Sequence, residues 1–162
     1  MKIPRTGFGY DVHRFDTPDG ETYLRLCGVD IPFSQRLKGH SDADVALHAL
    51  TDALLGALCM GDIGEHFPPS DDQWKDRDSS VFVNFALQAL AERDGQLEHV
   101  DITIVCEQPK IGPHKNNMRT RLAEILQITE NRINVKATTT EGLGFTGRKE
   151  GISVYAVATI SI

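Results

Sequence analysis

The chain has 162 residues, 40% of them hydrophobic and 25% charged, with a formal net charge of −6 at pH 7. This length and composition are those of one ordinary globular domain with its own core, so we expect a single domain over residues 1–162. The negative charge argues against a nucleic-acid partner, because proteins that follow a phosphate backbone are usually basic.

The sequence also argues against a membrane or secreted protein. The apolar stretch ALLGALCM at 53–60 is too short to span a bilayer, and the first residues, MKIPRTGFGY, form neither a signal peptide nor a transit peptide. The three cysteines, Cys27, Cys59 and Cys106, are an odd number without CxxC spacing. We therefore expect a cytoplasmic protein without a disulfide framework and without a membrane partner.

The first half of the chain is predicted to contain two strands and two helices. Residues 2–15 are predicted as a strand that ends in polar residues, and residues 23–33 as a second strand region. The clearest helix covers 40–62, where Ser41 followed by Asp44 has the spacing of a capping box and Gly61 ends the apolar run. Residues 63–80, rich in Pro, Asp and Ser, are predicted as a loop, and 80–95 as an amphipathic helix.

The second half is predicted to supply three strands and one helix. The predicted elements are a strand over 100–108, a loop over 109–114, a helix over 115–126, a strand over 132–140, a Gly-rich loop over 141–151 and a strand over 152–162. In the last strand the apolar residues alternate, which is typical of a strand with one buried face. The order β-β-α-α-β-α-β-β predicts the α+β class, a mixed β-sheet with helices packed on one face in a two-layer sandwich.

The stretch GFGYDVHRF at 7–15 places Asp11 and His13 on one face of the first strand, since residues i and i+2 of a strand point the same way. A lone D-x-H pair also fits a surface strand end with a hydrogen-bonded His–Asp pair. His48, in the first turns of the strongest helix, is a third candidate ligand, although a core histidine bonded to a carbonyl fits there too. Asp, His and His with one position left open is the pattern of a catalytic zinc site, and two imidazoles disfavour magnesium.

Two further segments indicate anion binding. GHSDADVALH at 39–48 puts His40 and Ser41 at the predicted start of a helix, where free N–H groups and the helix dipole attract anions. KATTTEGLGFTGR at 136–148 combines three threonines with a Gly-rich turn that can hold phosphates, although threonines are also common strand residues. Glu141 in this segment would be a hard oxygen ligand for Mg²⁺.

Taken together, GFGYDVHRF, LKGHSDADVALHALTDALLGA, GDIGEHFP, PKIGPH and KATTTEGLGFTGRKEGI resemble the 2-C-methyl-D-erythritol 2,4-cyclodiphosphate synthase family of the non-mevalonate isoprenoid pathway. The resemblance runs from about residue 3 to the C-terminus, in order and with the family's spacing. It implies a homotrimer of α+β subunits with active sites between adjacent chains, and a small-molecule cytidine diphosphate substrate. It also implies that the 2-phosphate of the substrate attacks the β-phosphorus, closes a cyclic diphosphate and releases CMP.

The resemblance further implies the site residues. Zinc, or another divalent transition metal, would be held by Asp11, His13 and His48, and Mg²⁺ or Mn²⁺ by Glu141; all but His48 would also contact the substrate. Catalytic roles are implied for His40 and Thr139. The remaining substrate contacts that it implies are Ser41 at the phosphates; Asp62, Ile63, Gly64, Phe67, Pro68, Pro69, Ser70 and Asp71 at the erythritol; Cys106, Glu107, Gln108, Pro109, Lys110, Ile111 and Gly112 at the cytosine; Thr138 and Thr140 at the diphosphate; and Phe145 and Arg148 near the nucleotide half and the trimer axis.

The sequence departs from the family pattern at two positions. Pro69 stands where the family often has Asp, so a side-chain contact to the methylerythritol is expected to be missing. Ala43 stands where Gly is common, which we expect to be harmless in a first helical turn. Two other functions remain open on the residues alone: a non-catalytic regulator that binds a nucleotide or an isoprenoid phosphate, and a zinc phosphohydrolase whose metal activates water.

Overall fold

A five-stranded sheet organises the structure, a computed structural model that describes residues 1–20 and 22–162. The strands in the described ranges are β1 (Pro4–Asp16), β2 (Tyr23–Leu26), β3 (Val29–Pro32), β4 (Arg36–Leu37), β5 (Gln96–Val105), β6 (Ile133–Thr138) and β7 (Gly151–Ser161). The large sheet has the order β4-β1-β7-β5-β6, and β2 and β3 pair separately as an antiparallel hairpin. In the large sheet β5 and β6 run parallel and the other neighbours antiparallel, so the sheet is mixed, as predicted.

The helices are α1 (Val45–Ala57), α2 (Ile63–His66), α3 (Ser80–Ala91), α4 (Lys115–Leu126) and α5 (Gly144–Gly147). Single 3₁₀ turns lie at Asp72–Trp74, Gly112–His114 and Glu130–Arg132. Over the two described ranges, every helix falls short of the length and apolar character that crossing a membrane requires.

One face of the sheet packs against the helices and forms the core. Alternate residues of β7, from Ile152 to Ile160, are fully buried, and the register aligns them with the buried residues of β5 and with the odd-numbered residues of β1. Helix α1 lies directly on β1: a Cβ added to Gly7 or Gly9 would meet the carbonyl oxygens of Ala53 and Ala49 at 1.8 Å. Glycine is needed there because the two backbones touch. The predicted α+β fold with helices on one face is confirmed.

The opposite face of the sheet carries exposed aromatic residues. Phe8 is 63% exposed, and Tyr10 and Tyr155, which are paired across β1 and β7 with ring centroids 5.0 Å apart, are 42% and 41% exposed. Val12, next on the same face, is 42% exposed. A patch of this kind on a chain with an already complete core is typical of a protein–protein contact.

The predicted start of the first helix was wrong. Helix α1 begins at Val45 instead of residue 40, and its N-cap is Asp44, whose carboxylate accepts a hydrogen bond from Leu47 N at 3.0 Å. Ser41 is therefore not a cap. Ala43 lies before the helix with φ of 60°, in the left-handed region that favours glycine, so the helical-turn position expected for it was also wrong.

Several predicted boundaries were also wrong. Residues 23–33 form two strands joined by a turn at Cys27 and Gly28, both with positive φ, instead of one strand region. The predicted loops over 63–80 and 141–151 contain the four-residue helices α2 and α5. Helices this short have no apolar period, because they complete about one turn, so pattern reading misses them.

Candidate functional site

Asp11, His13 and His48 come together at the end of the α1–β1 contact. Because Gly7 and Gly9 hold β1 against α1, the next residues on the same strand face, Asp11 and His13, reach the first turn of the helix, which carries His48. His13 Nε2 lies 2.9 Å from Asp11 Oδ2, and His48 Nδ1 lies 3.2 Å from the same oxygen and 3.3 Å from His13 Nε2. The three ligand atoms lie within 4.8 Å of one another.

These donors have the chemistry of a transition-metal site. Burial alone would raise the pKa of Asp11, but the neighbouring imidazoles of His13 and His48 outweigh it and hold that pKa well below its ordinary value. The group therefore offers one ionised carboxylate and two imidazoles, a set that suits zinc better than magnesium. Three protein ligands leave a coordination position open for substrate, as in catalytic zinc sites.

The other ring nitrogen of His48 meets two serines. Its Nε2 lies 2.9 Å from Ser79 Oγ and 3.0 Å from Ser41 Oγ. Ser79 in turn contacts the carboxylate of Asp42 through its hydroxyl and its backbone N–H. Sequence reasoning missed Ser79 and Asp42 because one lay in a predicted loop and the other in a predicted helix start.

A cavity of about 800 Å³ opens over the three candidate ligands. Predicted site residues that also line it are His40, Ser41, Ile63, Gly64, Phe67, Pro69 and Phe145. Its aromatic wall is built on Phe67, which packs edge-on against Trp74 at 4.8 Å between ring centroids. The ring of Phe67 is tilted against that of Phe82, at 4.7 Å. Trp74 and Phe82 were not predicted, since an aromatic residue in a loop or helix is no specific signal.

His40 and Ser41 lie in this cavity but not at the start of the helix. His40 Nε2 is 3.3 Å from the carbonyl oxygen of Asp71, which ties it to the loop that follows α2. The predicted position of these two residues at a free helix N-terminus was wrong, because the buried carboxylate of Asp44 takes that position. Anion binding by His40 and Ser41 stays a prediction. Asp44 also accepts the N–H groups of Cys27 and Gly28 at 3.0 and 2.7 Å. Burial raises the pKa of Asp44, and hydrogen bonds from Leu47 and Gly28 offset this only in part.

Four other residues predicted at the erythritol pocket lie around the cavity without lining it. Asp62 is the N-cap of α2, and its Oδ1 accepts from Glu65 N at 3.0 Å. Asp71 caps the 3₁₀ turn Asp72–Trp74 and accepts from Gln73 N at 3.1 Å. Pro68 and Ser70 are exposed in the connecting loop.

A second group of predicted residues gathers where β5 and β6 end. The two strands are parallel and end side by side at Val105 and Thr138, and Cys106 N donates to Thr138 O at 3.1 Å. Glu107 Oε1 accepts from the N–H groups of Thr140 and Gly142 at 3.3 and 3.2 Å, which fixes the turn that carries Glu141. Predicted residues of this group are Cys106, Glu107, Gln108, Pro109, Lys110, Ile111, Gly112, Thr138, Thr139, Thr140 and Glu141.

The two groups do not share a cavity within one chain. Among the described residues, the lining of the metal-side cavity includes Phe145 but none of 106–112 or 138–141. Glu141 is exposed, with φ of 55°. Arg148 is exposed and pairs with Glu150, at 2.9 Å between Nε and Oε1. Burial, together with the nearby Glu107 carboxylate, raises the pKa of Cys106 to about 12, so that thiol stays protonated.

Comparison with known proteins assigns a family to this arrangement. A match to the YgbB family covers residues 4–161. The chain belongs to the YgbB family. This confirms the family that the sequence motifs indicated. The "Bifunctional enzyme IspD/IspF" of Gluconobacter oxydans (strain 621H) is 55% identical to this YgbB-family chain over 160 residues, which cover 99% of the chain and 40% of that enzyme. The chain spans about two fifths of the length of the curated relatives it matches.

Two solved structures match the YgbB-family chain over nearly their whole length. The first is "Structure of 2C-Methyl-D-erythritol-2,4-cyclodiphosphate Synthase (bound form CDP)", with a TM-score of 0.85 and 35% sequence identity. The match covers 95% of this chain and 98% of the chain in that structure. The "IspF (Plasmodium falciparum) CDP complex" has a TM-score of 0.84 and 33% identity, covering 97% and 95%. Both of those proteins are described with CDP bound.

Proposed function

We propose that this chain is a 2-C-methyl-D-erythritol 2,4-cyclodiphosphate synthase, with residues 1–162 as its catalytic domain. The observation that carries the proposal is the convergence of Asp11, His13 and His48 beneath a cavity of about 800 Å³ in a YgbB-family chain. The CDP named for the two solved relatives supports a cytidine diphosphate substrate. The substrate would be 4-diphosphocytidyl-2-C-methyl-D-erythritol 2-phosphate, and the products the cyclic diphosphate and CMP.

The reaction is an internal phosphoryl transfer. An oxygen of the 2-phosphate forms a bond to the β-phosphorus, the bond from that phosphorus to the bridging oxygen breaks, and its electron pair leaves on CMP. A phosphate is already an anionic nucleophile near neutral pH, so no side-chain base is required. Catalysis then consists mainly of alignment and charge neutralisation.

The chain's residues align the substrate and exclude water. Asp11, His13 and His48 would hold zinc or a similar divalent ion, and Glu141 would hold Mg²⁺ or Mn²⁺; these cations supply positive charge to a polyanion bound by a protein of net charge −6. His40 and Ser41 would lie at the phosphates, beside the metal ligands in the same cavity. Phe67, Trp74 and Phe82 together supply an apolar wall that keeps water away from the methylerythritol.

We further propose a homotrimer whose active sites lie between adjacent subunits. Two observations support it: the exposed aromatic face formed by Phe8, Tyr10 and Tyr155, and the separation of the two groups of site residues within one chain. A neighbour packed on such a face brings its own β5–β6 end to the metal-side cavity. Thr139 and the backbone of 106–112 would then contact the nucleotide in a site that neither chain completes by itself. We place this assembly in the cytoplasm. Three free thiols, Cys27, Cys59 and Cys106, suit a reducing compartment.

Phosphorus NMR of the purified protein with the proposed substrate tests the function. We expect the signals of a cyclic diphosphate and of CMP, because the attacking phosphate belongs to the substrate itself. Inorganic phosphate instead would indicate a zinc phosphohydrolase. An unchanged spectrum from a protein that still binds CDP would indicate a non-catalytic binding protein, and either result would contradict the proposal.

A further inference from the structure

Ser79 is a buried hydroxyl whose proton already has an acceptor. Its side chain is 0% exposed, and both its hydroxyl and its backbone N–H, the latter at 3.0 Å, contact the carboxylate of Asp42. A carboxylate can only accept hydrogen bonds. The hydroxyl of Ser79 therefore donates to Asp42, and its oxygen keeps only lone pairs to offer to a third group.

That third group is the imidazole of His48. Its Nε2 lies 2.9 Å from Ser79 Oγ, so this nitrogen must carry a hydrogen to make the bond. Ser41 Oγ, 3.0 Å from Nε2 and 3.2 Å from Ser79 Oγ, can accept from the same N–H while donating to Ser79. Both serines are then satisfied with His48 as the donor.

The carboxylate of Asp42 is itself held in place. The N–H of Asp44 donates to Asp42 Oδ1 at 3.0 Å, and the guanidinium of Arg25 lies 3.5 Å from Oδ2. Asp42 therefore accepts hydrogen bonds from Ser79 and from the N–H of Asp44 and forms an ion pair with Arg25, and it cannot turn away from Ser79 without losing these contacts. These contacts fix the direction of the hydrogen bonds: His48 donates to Ser79, and Ser79 donates to Asp42.

We propose that Ser79 and Asp42 are positioning residues that hold His48 in its Nε2–H tautomer and so present Nδ1 to the metal. Nδ1 faces Asp11 Oδ2 at 3.2 Å and His13 Nε2 at 3.3 Å, which is where the candidate ligand atoms meet. The inference rests on the proposed metal site. A partner of this kind, on the ring nitrogen away from the metal, fixes both the tautomer and the ring orientation.

His13 and His48 differ in whether their second ring nitrogen has a hydrogen-bond partner. The second ring nitrogen of His13, Nδ1, is buried without a hydrogen-bond partner in the described structure. His48 is therefore the imidazole whose orientation is set before metal arrives, and most of the preorganisation of the site is expected to depend on Ser79 and Asp42.

Two-bond ¹H–¹⁵N NMR of the zinc-free protein tests the tautomer directly and needs no variant. We expect His48 to show a protonated Nε2 and an unprotonated Nδ1. In Ser79→Ala we expect this preference to weaken. A protonated Nδ1 in the zinc-free wild-type protein would overturn the proposal.

Zinc affinity, measured by competition with a chromophoric chelator, tests the consequence. We expect Ser79→Ala to bind zinc about 10- to 100-fold more weakly. Thr51→Val is the matched control, since it removes another buried hydroxyl of the same region, one that donates to Leu47 O at 2.7 Å, without touching His48. Unchanged affinity in Ser79→Ala would overturn the proposal even if the synthase activity is confirmed.

Asp42→Asn provides a second variant in case Ser79→Ala does not fold. Asp78→Asn is its control, because Asp78 also pairs with Arg25, at 3.2 Å, but does not touch the side chain of Ser79. We expect weaker zinc binding in Asp42→Asn alone, and equal affinities would contradict the proposal. A wild-type protein that binds no zinc would instead overturn the metal site itself, which separates the two failures.

Discussion

The candidate metal ligands are independent of the residues that stabilise their elements. His48 is in the first turn of α1, but the start of that helix is capped by the carboxylate of Asp44. Asp11 and His13 belong to a strand that β7 pairs along most of its length. A ligand can therefore be removed without removing a cap or a strand pair.

We expect His48→Ala to lose zinc while keeping its fold. Zinc content should fall from about one per chain to near zero, since two donors rarely hold the ion alone. Elemental analysis after dialysis and far-UV circular dichroism measure the two effects. His99→Ala, at an exposed histidine, is the control. Full zinc content in His48→Ala would remove His48 from the site.

Glu141 is expected to act on the second cation only. Its side chain is exposed on a turn that Glu107 fixes through Thr140 and Gly142. Among the described residues, it does not belong to the lining of the metal-side cavity of its own chain. We expect Glu141→Gln to need several-fold more Mg²⁺ for half-maximal turnover, because an amide is a poorer ligand for a hard cation. Zinc content should not change.

Steady-state rates across a magnesium titration measure the effect of Glu141→Gln. Glu124→Gln, at an exposed glutamate of α4 that pairs with Arg121 at 2.8 Å, is the control for loss of one negative charge. If both variants keep the wild-type magnesium dependence, Glu141 has no role at that cation.

At the scale of the elements, the contact between α1 and β1 decides where the site forms. Gly7 and Gly9 let the backbone of β1 touch that of α1, and this contact places Asp11 beside His48. A side chain at either glycine would separate strand and helix. The same two glycines are therefore needed for both the core and the metal group.

We expect Gly9→Ala to destabilise the protein by about 3 kcal/mol or more, since its Cβ would lie 1.8 Å from a backbone oxygen that cannot rotate away. Urea unfolding followed by circular dichroism measures the loss. Gly112→Ala is the control, because a Cβ there meets nothing within 4 Å. Equal stabilities for the two variants would mean that α1 does not pack on β1 this closely.

At the scale of the whole molecule, the metal group comes from the first third of the chain, and the β5–β6 group lies between residues 106 and 141. If the site is shared, one chain supplies its metal group and a neighbouring chain supplies its β5–β6 group. A residue lost from one chain can then be supplied by a different chain. Two inactive variants, His48→Ala and Thr139→Trp, carry one lesion in each group. Each homotrimer alone should be inactive.

We expect mixed trimers of the two variants to recover activity. Random equal mixing of unfolded chains should restore roughly a quarter of the sites, since each site in a head-to-tail ring samples two independent chains. Native mass spectrometry confirms mixing, and the rate of CMP release measures recovery. Mixed trimers without activity would show that each site is built within one chain.

The sequence by itself determined the class of the fold, the family and the short-range parts of the site. The alternation in the last strand and the helical period of the three longer helices were enough for an α+β sheet with helices on one face. The pair Asp11 and His13 was readable because two residues of one strand share a face regardless of the rest of the fold.

Tertiary structure alone decided the rest. His48 reaches Asp11 across 37 residues of sequence only because two glycines let α1 lie on β1. Asp44 displaces Ser41 as the cap because the turn at Cys27 and Gly28 comes within hydrogen-bonding distance of its carboxylate. Ser79 likewise reaches His48 and Asp42 only through packing between distant segments. Such contacts depend on packing between segments distant in the chain, and no local period or spacing encodes that packing.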